Sequence, residues 1–244
     1  MDMLRRMAMG VFDIARKNIE EKIKTHIDDL DIRNIDSIDV LEPKIGEVVR
    51  DNQHKRYMVV REKTDSQQGL LVGLDIVKER WYHCLTYCPY SRTVSAEGGC
   101  RLETESVSRT DGMANTLKIK NLDEHLRRNP ESVGGCPAPI HEFPVFDLVK
   151  RHSKNTYIPA IDELYDVFRN PEIQSRFRNA VVYRSNVTLL ENATFKIWSS
   201  TDNDNNRKLF GEEAFSLLMN SDQSVIVQSA RKDEILCVVL FKRY

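Results

Sequence analysis

Residues 56–88, with the sequence RYMVVREKTDSQQGLLVGLDIVKERWYHCLTYC, decide the fold class of this chain. Two apolar segments rich in β-branched residues flank the polar turn TDSQQG, and the second segment ends in Trp81 and Tyr82. Such segments on either side of a short polar turn are typical of neighbouring antiparallel strands. The stretch therefore predicts an antiparallel β-sheet.

The same pattern extends outward as a β-meander over residues 45–95. Its segments are IGEVVR, RYMVVRE, LLVGLDIV and RWYHCLTY, and polar turns with Asn or Gly separate them. Further strands are predicted at 117–120, 181–186 and 193–200. The chain ends in a predicted hairpin whose second strand is the run 235–241. Seven consecutive apolar residues there indicate a strand buried on both faces.

Helices are predicted at the N-terminus and between the strands. Apolar residues recur at helical spacing over residues 3–30 and charged residues occupy the opposite face, which is typical of an amphipathic helix. Shorter helices are predicted at 122–128, 162–170 and 212–219. Asn170 followed by Pro171 indicates the capped start of another helix.

The chain of 244 residues is expected to form one domain. Residues 1–32 are predicted to be a helical arm, and residues 45–244 contain the predicted strands and helices of the core. The segment 96–145 is predicted to be a loop-rich middle, because it is polar at its start and rich in proline and glycine at its end. The predicted fold class is therefore a β-rich α+β domain with peripheral helices.

Charge and hydropathy exclude several functional classes. Lys and Arg number 36 and Asp and Glu number 37, so the net charge is -1, which argues against a nucleic-acid partner and favours self-association. No window approaches the about 18 apolar residues of a membrane span, so no membrane partner is expected. The broken apolar pattern at the N-terminus does not predict a signal peptide.

An odd number of cysteines in a chain made in the cytosol indicates free thiols, of which one or two are candidates for crosslinks between copies. The candidates are Cys84, Cys88, Cys100, Cys136 and Cys237. His83 and the first two cysteines have acceptable spacing for zinc, but no second short-spaced pair completes a site. No metal and no cofactor is predicted, and a zinc-stabilised regulatory module stays an alternative.

Two acidic motifs contain residue types that bind metal ions. Asp202, Asp204 and Asn206 match part of a calcium-binding EF-hand loop, but Arg207 stands where that loop requires glycine, so a solvated turn is predicted. Upstream, an acidic segment ends in Glu42-Pro43-Lys44, and Pro43 interrupts the strand that a nuclease site needs. A metal-dependent nuclease is kept as an alternative, although no hydrolase elbow or phosphate loop is present and no enzyme is predicted.

Two segments resemble the baculovirus polyhedrin and granulin family of occlusion-body matrix proteins. Residues 58–88 resemble its strand, polar turn and LVVG-like strand that lead to an aromatic stretch, here Leu71-Val72-Gly73 and then Trp81-Tyr82. Residues 233–242, DEILCVVLFK, resemble its acidic turn and last apolar strand, which also ends in Phe-Lys. Residues 181–197 fit more loosely. The family's basic run near the N-terminus has no counterpart and residues 92–145 are unmatched, so a distant member such as a nudivirus occlusion protein fits best.

The resemblance implies a structural protein with a jelly-roll-like antiparallel β-sandwich core and peripheral helices. It implies homotrimers that pack into crystals in the nucleus or cytoplasm of the infected host cell, where they embed virions as occlusion bodies. Such crystals dissolve at alkaline pH. A virion-assembly protein that forms closed oligomers is an alternative.

The residues provide a physical route to alkaline dissolution. Above about pH 10, tyrosines and thiols become anionic and lysines lose their positive charge, so contacts between near-neutral copies become repulsive. The candidate trigger residues lie close together in the sequence: Lys78, Tyr82, Cys84, Tyr87 and Tyr90.

Overall fold

The computed structural model describes residues 33–34, 43–84, 104–128, 141–152, 155–181, 194–203 and 213–244. The chain divides into two compact units, Met1–Arg33 and Asn34–Tyr244. The predicted N-terminal helical arm lies outside the described residues. Within the described ranges, no helix has the length and apolar character that crossing a membrane requires.

Strands dominate the described part of the chain. They are β1 (Arg33–Asn34), β2 (Val48–Arg50), β3 (Arg56–Arg61), β4 (Leu70–Gly73), β5 (Val77–Arg80), β6 (His83–Cys84), β7 (His141–Glu142), β8 (Thr156–Tyr157), β9 (Phe195–Asp202), β10 (Glu213–Met219), β11 (Val225–Arg231), β12 (Ile235–Val238) and β13 (Phe241–Arg243). The helices are α1 (Gly112–Arg128), α2 (Pro144–Val149), α3 (Ile161–Phe168) and α4 (Pro171–Val181).

Most strands belong to two sheets. The first has the order β1-β2-β3-β4-β13-β8 and the second has the order β11-β10-β9-β12-β5, while β6 pairs with β7. In the second sheet β12 runs parallel to β9 and antiparallel to β5. Apolar residues from both sheets and from α3 and α4 meet in one main core. The fold is therefore a β-rich α+β fold, and its two sheets are compatible with a β-sandwich.

Two pairs of consecutive strands cross together from one sheet to the other. β4 pairs with β13 in the first sheet, and β5 pairs with β12 in the second. We call the connecting residues, 74–76 and 239–240, the sheet junction. At its edge, Gly73 N–H donates to the carbonyl of Leu240 at 2.7 Å. A Cβ atom on Gly73 would lie 3.2 Å from that oxygen, so this close approach favours glycine.

The sheet junction shows that the predicted C-terminal hairpin was wrong. The run 235–241 is not one strand, because β12 and β13 belong to different sheets. β11 does not pair with β12 either; it pairs with β10 in the antiparallel register Met219↔Val225 to Glu213↔Arg231. The physical reason is that the apolar run buries its first half against one sheet and its second half against the other.

Two other predictions were wrong. Residues 117–120 lie in α1, not in a strand, and the helix begins at 112, inside the segment predicted to be a loop. Asp111 Oδ1 accepts the backbone N–H of Ala114 at 3.0 Å, which caps the start of α1. Residues 213–219, predicted to be helical, form β10, which pairs on both sides with β9 and β11.

Several predictions are confirmed. The first three strands of the meander are present as β2, β3 and β4, the helix at 162–170 is α3, and the strand at 193–200 is β9. The fourth meander segment does not continue this sheet, because its described residues include β6, which pairs with β7. Asn170 Oδ1 accepts the backbone N–H of Glu172 at 3.0 Å, so it caps α4 as predicted. The strand predicted at 181–186 begins at the last residue of α4, and the rest of it lies outside the described residues.

Candidate functional site

The aromatic end of the opening stretch lies in a second core cluster. The Trp81 ring packs edge-to-face on Phe146 with 5.0 Å between centroids, and its Nε1 donates to the carbonyl of Ser199 at 2.8 Å. Tyr82 is half-buried, and its ring centroid lies 5.3 Å from that of Phe143. Trp81 is therefore a buried anchor, whereas Tyr82 stands at the margin of the cluster.

The structure brings Lys78 and Cys237 together. They are direct partners in the β5–β12 register, where Lys78 is exposed and Cys237 is buried. Burial raises the pKa of the Cys237 thiol, and the positive charge of Lys78 partly opposes this rise. Cys84 lies in β6 opposite His141. The other candidates, Tyr87, Tyr90, Cys88, Cys100 and Cys136, lie outside the described residues, so the trigger and the crosslinks stay predictions.

Sequence reasoning missed a buried ion pair beside this cluster. Lys232 Nζ lies 2.8 Å from Asp202 Oδ2, and both side chains are almost completely buried. Thr104 Oγ1 donates to the same carboxylate oxygen, and the ammonium lies 4.6 Å from the centroid of the Trp81 ring. Asp202 is therefore not part of a solvated turn, as its acidic neighbours had indicated; it is the carboxylate that a buried lysine pairs with.

A second buried lysine pairs with Asp51 in the first sheet. Lys242 Nζ lies 3.5 Å from Asp51 Oδ2, and the hydroxyl of Tyr57 donates to the same oxygen at 3.2 Å. Burial opposes the ionisation of Asp51. The backbone N–H of Lys55 and the charge of Lys242 more than offset it, so the pKa of this carboxyl is lowered. No sequence motif marked Lys242 as buried; the signal was its position within the last strand.

Glu163 connects three further elements. Its Oε2 accepts the backbone N–H groups of Ala160 at 2.9 Å and Gly112 at 3.0 Å, and its Oε1 accepts the hydroxyl of Tyr157 at 3.1 Å. Arg243 in β13 reaches the same Oε1 at 3.4 Å. Burial and then the negative charge of Glu163 raise the pKa of Tyr157. The starts of α1 and α3 are therefore tied to the C-terminal strand through one carboxylate.

These clusters share one chemical property. Each holds a lysine or a tyrosine beside a carboxylate in a buried environment, so each arrangement depends on the proton that the lysine or tyrosine carries. In the ranges that the structure describes, no three His, Cys, Asp or Glu side chains are grouped so that they could hold a metal ion.

Comparison of the chain with protein-family models, with curated proteins and with solved structures finds no match. The family resemblance therefore depends on the residues quoted for it and on where the structure places them.

Proposed function

We propose that this chain is a structural occlusion-body matrix protein of a virus. In this proposal copies associate through trimers into crystals in the host cell, in the nucleus or the cytoplasm, and the crystals embed virions and dissolve at alkaline pH. A jelly-roll-like connection of the strands and an amphipathic N-terminal arm belong to the same proposal. The protein has a scaffolding role in it and no enzymatic one.

The pairing of the two resembling segments is the observation that carries the proposal. Residues 58–88 contain β4 and β5, and residues 233–242 contain β12 and the start of β13. β4 pairs with β13 and β5 pairs with β12, so the segments are partners in both sheets. Two chance similarities in distant parts of a chain need not be neighbours, whereas parts of one inherited scaffold are expected to be.

The charge chemistry of the described residues supports the alkaline response. Lysine ion pairs occur at the surface, such as Lys44–Glu62, so similar groups are available for contacts between copies. One exposed pair contributes little, but a lattice repeats each contact many times. Deprotonation of surface lysines at high pH removes these attractions.

Expression in insect cells tests the proposal. We expect refractile intracellular crystals that persist at pH 7 and dissolve as the pH is raised to 11. The Tyr82→Phe variant is expected to shift dissolution to higher pH, and the exposed Tyr165→Phe is the matched control. A protein that stays monomeric and soluble at high concentration contradicts the proposal.

The same preparations separate the alternatives. Particles of one defined size without crystals, seen by electron microscopy, favour a virion-assembly protein that forms closed oligomers. Stoichiometric zinc in elemental analysis favours a zinc-stabilised module, and metal-dependent cleavage of DNA or RNA favours a nuclease.

A further inference from the structure

β11 is an edge strand, and in the described part of the fold it is longer than the other edge strands and uncharged over most of its length. The opposite edge of its sheet, β5, carries Lys78, Glu79 and Arg80 in four residues, and the outer strands of the first sheet, β1 and β8, have two residues each. β11 has seven residues, and residues 225–230 have no charge. Proteins usually shorten or charge an exposed edge strand to prevent pairing, so this edge is open to an additional strand.

The hydrogen bonds between β10 and β11 show which backbone N–H and C=O groups of β11 face the outer side. Asn220 N–H donates to the carbonyl of Ser224 at 3.0 Å, and Gln223 N–H donates to the carbonyl of Asn220 at 3.1 Å, so Asn220 is a hydrogen-bonded position at the turn between β10 and β11. In an antiparallel ladder hydrogen-bonded positions alternate, so residues 226, 228 and 230 also bond to β10, while Val225, Val227 and Ser229 direct their N–H and C=O groups to the outer side. No strand in the described ranges pairs with that side.

The side chains of β11 continue the main core to this edge. Val225 and Val227 are partly buried and pack against the main core. On the opposite face of the strand, Ile226 is 48% exposed. An added strand would cover apolar surface on both faces, which favours association in addition to the backbone hydrogen bonds.

We propose that β11 pairs with β11 of a second copy of this chain, in antiparallel orientation about a two-fold axis at Val227. In this register Val227 lies opposite its symmetry mate, and Val225 of each copy lies opposite Ser229 of the other. All three outward residues of both strands thus exchange hydrogen bonds. The result is one sheet that continues across two copies, held by an isologous interface.

Charge complementarity at the two ends selects a second copy as the occupant. In the proposed register Arg231 of one strand lies opposite Gln223 and next to Asp222 of the other. Both charged groups are solvent-exposed, and Asp222 stays ionised because hydrogen bonds from Ser224 lower its pKa. The two-fold axis makes this contact twice, while the uncharged centre places no like charges opposite each other.

Amide hydrogen exchange, measured by NMR on the full chain at low and high protein concentration, tests the pairing without any substitution. We expect the amides of Val225, Val227 and Ser229 to be protected at high concentration only. The amides of Ile226 and Gln228 should be protected at both concentrations, because they bond to β10. Equal exchange of the three outward amides at both concentrations overturns the proposal.

Sedimentation equilibrium of variants is the second test. Val227→Pro removes an outward N–H without removing a bond to β10, so we expect dimerisation to be lost while thermal unfolding shows that the monomer is folded. Arg231→Glu is expected to weaken the dimer by about tenfold, since two symmetric contacts are changed, and Asp222→Arg added to it should restore association. Unchanged dimerisation in Arg231→Glu overturns the proposal, whatever the stability of the proline variant.

Arg169→Glu is the matched control. The side chains of Arg169 and Arg231 are 62% and 63% exposed, and each pairs with a nearby aspartate. The control should leave the dimer unchanged; an equal effect of both charge reversals indicates net charge and not this edge, and overturns the proposal. A dimer in a protein that never crystallises rejects the occlusion function alone, whereas crystals of a protein whose outward β11 amides exchange equally at both concentrations in solution reject the pairing alone.

Discussion

The ammonium group of Lys232 lies 2.8 Å from Oδ2 of Asp202, and both side chains are more than nine-tenths buried. Removal of the cation leaves a buried carboxylate without a counter-charge. We therefore expect Lys232→Met to lower the free energy of unfolding by about 3–5 kcal/mol, measured by urea denaturation at pH 7.

The control for this prediction is the pair of Lys196 and Glu234, which has nearly the same separation, 3.0 Å, but is partly exposed. Lys196→Met is expected to cost less than about 1 kcal/mol, because water screens the exposed pair. Equal losses in the two variants would show that the burial of Lys232 does not matter.

Tyr157 links stability to alkaline pH. Burial and the charge of Glu163 raise its pKa above the ordinary tyrosine value of 10.0, so the unfolded chain releases the phenolic proton at lower pH than the folded protein. The stabilising contribution is therefore complete below pH 10 and is lost as the pH rises towards the folded-state pKa. Tyr157→Phe should cost about 1 kcal/mol at pH 7, where the hydrogen bond to Glu163 is lost.

That cost is expected to shrink above pH 10, because the variant has no phenol to ionise. Urea denaturation of both proteins between pH 7 and pH 11 measures the difference. Tyr165→Phe, at an exposed position, should follow the wild type across the range. A cost for Tyr157→Phe that does not change with pH would contradict the prediction.

His152 links stability to acidic pH. Burial and then the charge of Lys55 lower its pKa from the ordinary histidine value of 6.5. The unfolded chain takes up a proton on this histidine at higher pH than the folded protein does, so the stabilising contribution is present above pH 6.5 and is lost as the pH falls towards the lower folded-state pKa. His152→Asn should therefore reduce the loss of stability between pH 7 and pH 5.

Urea denaturation midpoints at several pH values check this expectation. His54→Asn is the control, since His54 is exposed and has a φ of 59°, a backbone conformation that asparagine adopts more readily than most residues. The wild type and the His54→Asn control should share the same dependence of stability on pH, and His152→Asn should show a weaker one. Parallel curves for all three proteins would exclude a role for His152.

Cys237 is expected to be unreactive in the folded protein. It is buried within the main core, and burial raises the pKa of its thiol, so little thiolate reaches solvent at pH 8. Iodoacetamide followed by peptide mass spectrometry should label Cys237 only after denaturation. Non-reducing peptide maps should likewise show no crosslink through Cys237, which leaves the other four cysteines as candidates; an intermolecular disulfide at Cys237 would contradict this.

Local patterns predicted the elements whose own residues determine them. The helix α3 has its apolar residues on one face, Asn170 is a side-chain cap for α4, and the meander β2-β3-β4 consists of apolar segments joined by short polar turns. Each of these signals arises from residues a few positions apart. The fold class could therefore be predicted from the sequence at the level of a β-rich domain with peripheral helices.

Two elements show where local patterns fail. Residues 213–219 have helical spacing of Phe215, Leu218 and Met219, yet they form β10, because pairing on both sides with β9 and β11 outweighs a weak local preference. Residues 117–120 resemble a short strand, but they continue the capped helix α1 and turn Ile119 into the second core. The free energy from intrinsic helix or strand propensity is small compared with the free energy from burial in tertiary contacts.

Only part of the candidate site could be predicted from the sequence. Lys78 and Tyr82 could be expected near Trp81 because these residues are close together in the sequence. It did not indicate that Asp202 pairs with Lys232 or that Asp51 pairs with Lys242, because residues 30 and 191 positions apart meet only after the sheets form.

The sequence by itself determined that the apolar segments of the stretch 56–80 and the run 235–241 are extended and largely buried, since β-branched content and apolar length are properties of the segments themselves. Only the tertiary structure decided that both segments divide at the sheet junction and pair with each other in two sheets. The physical reason is that a strand's extended conformation is local, whereas its hydrogen-bond partner is selected by which distant apolar surfaces can be buried together.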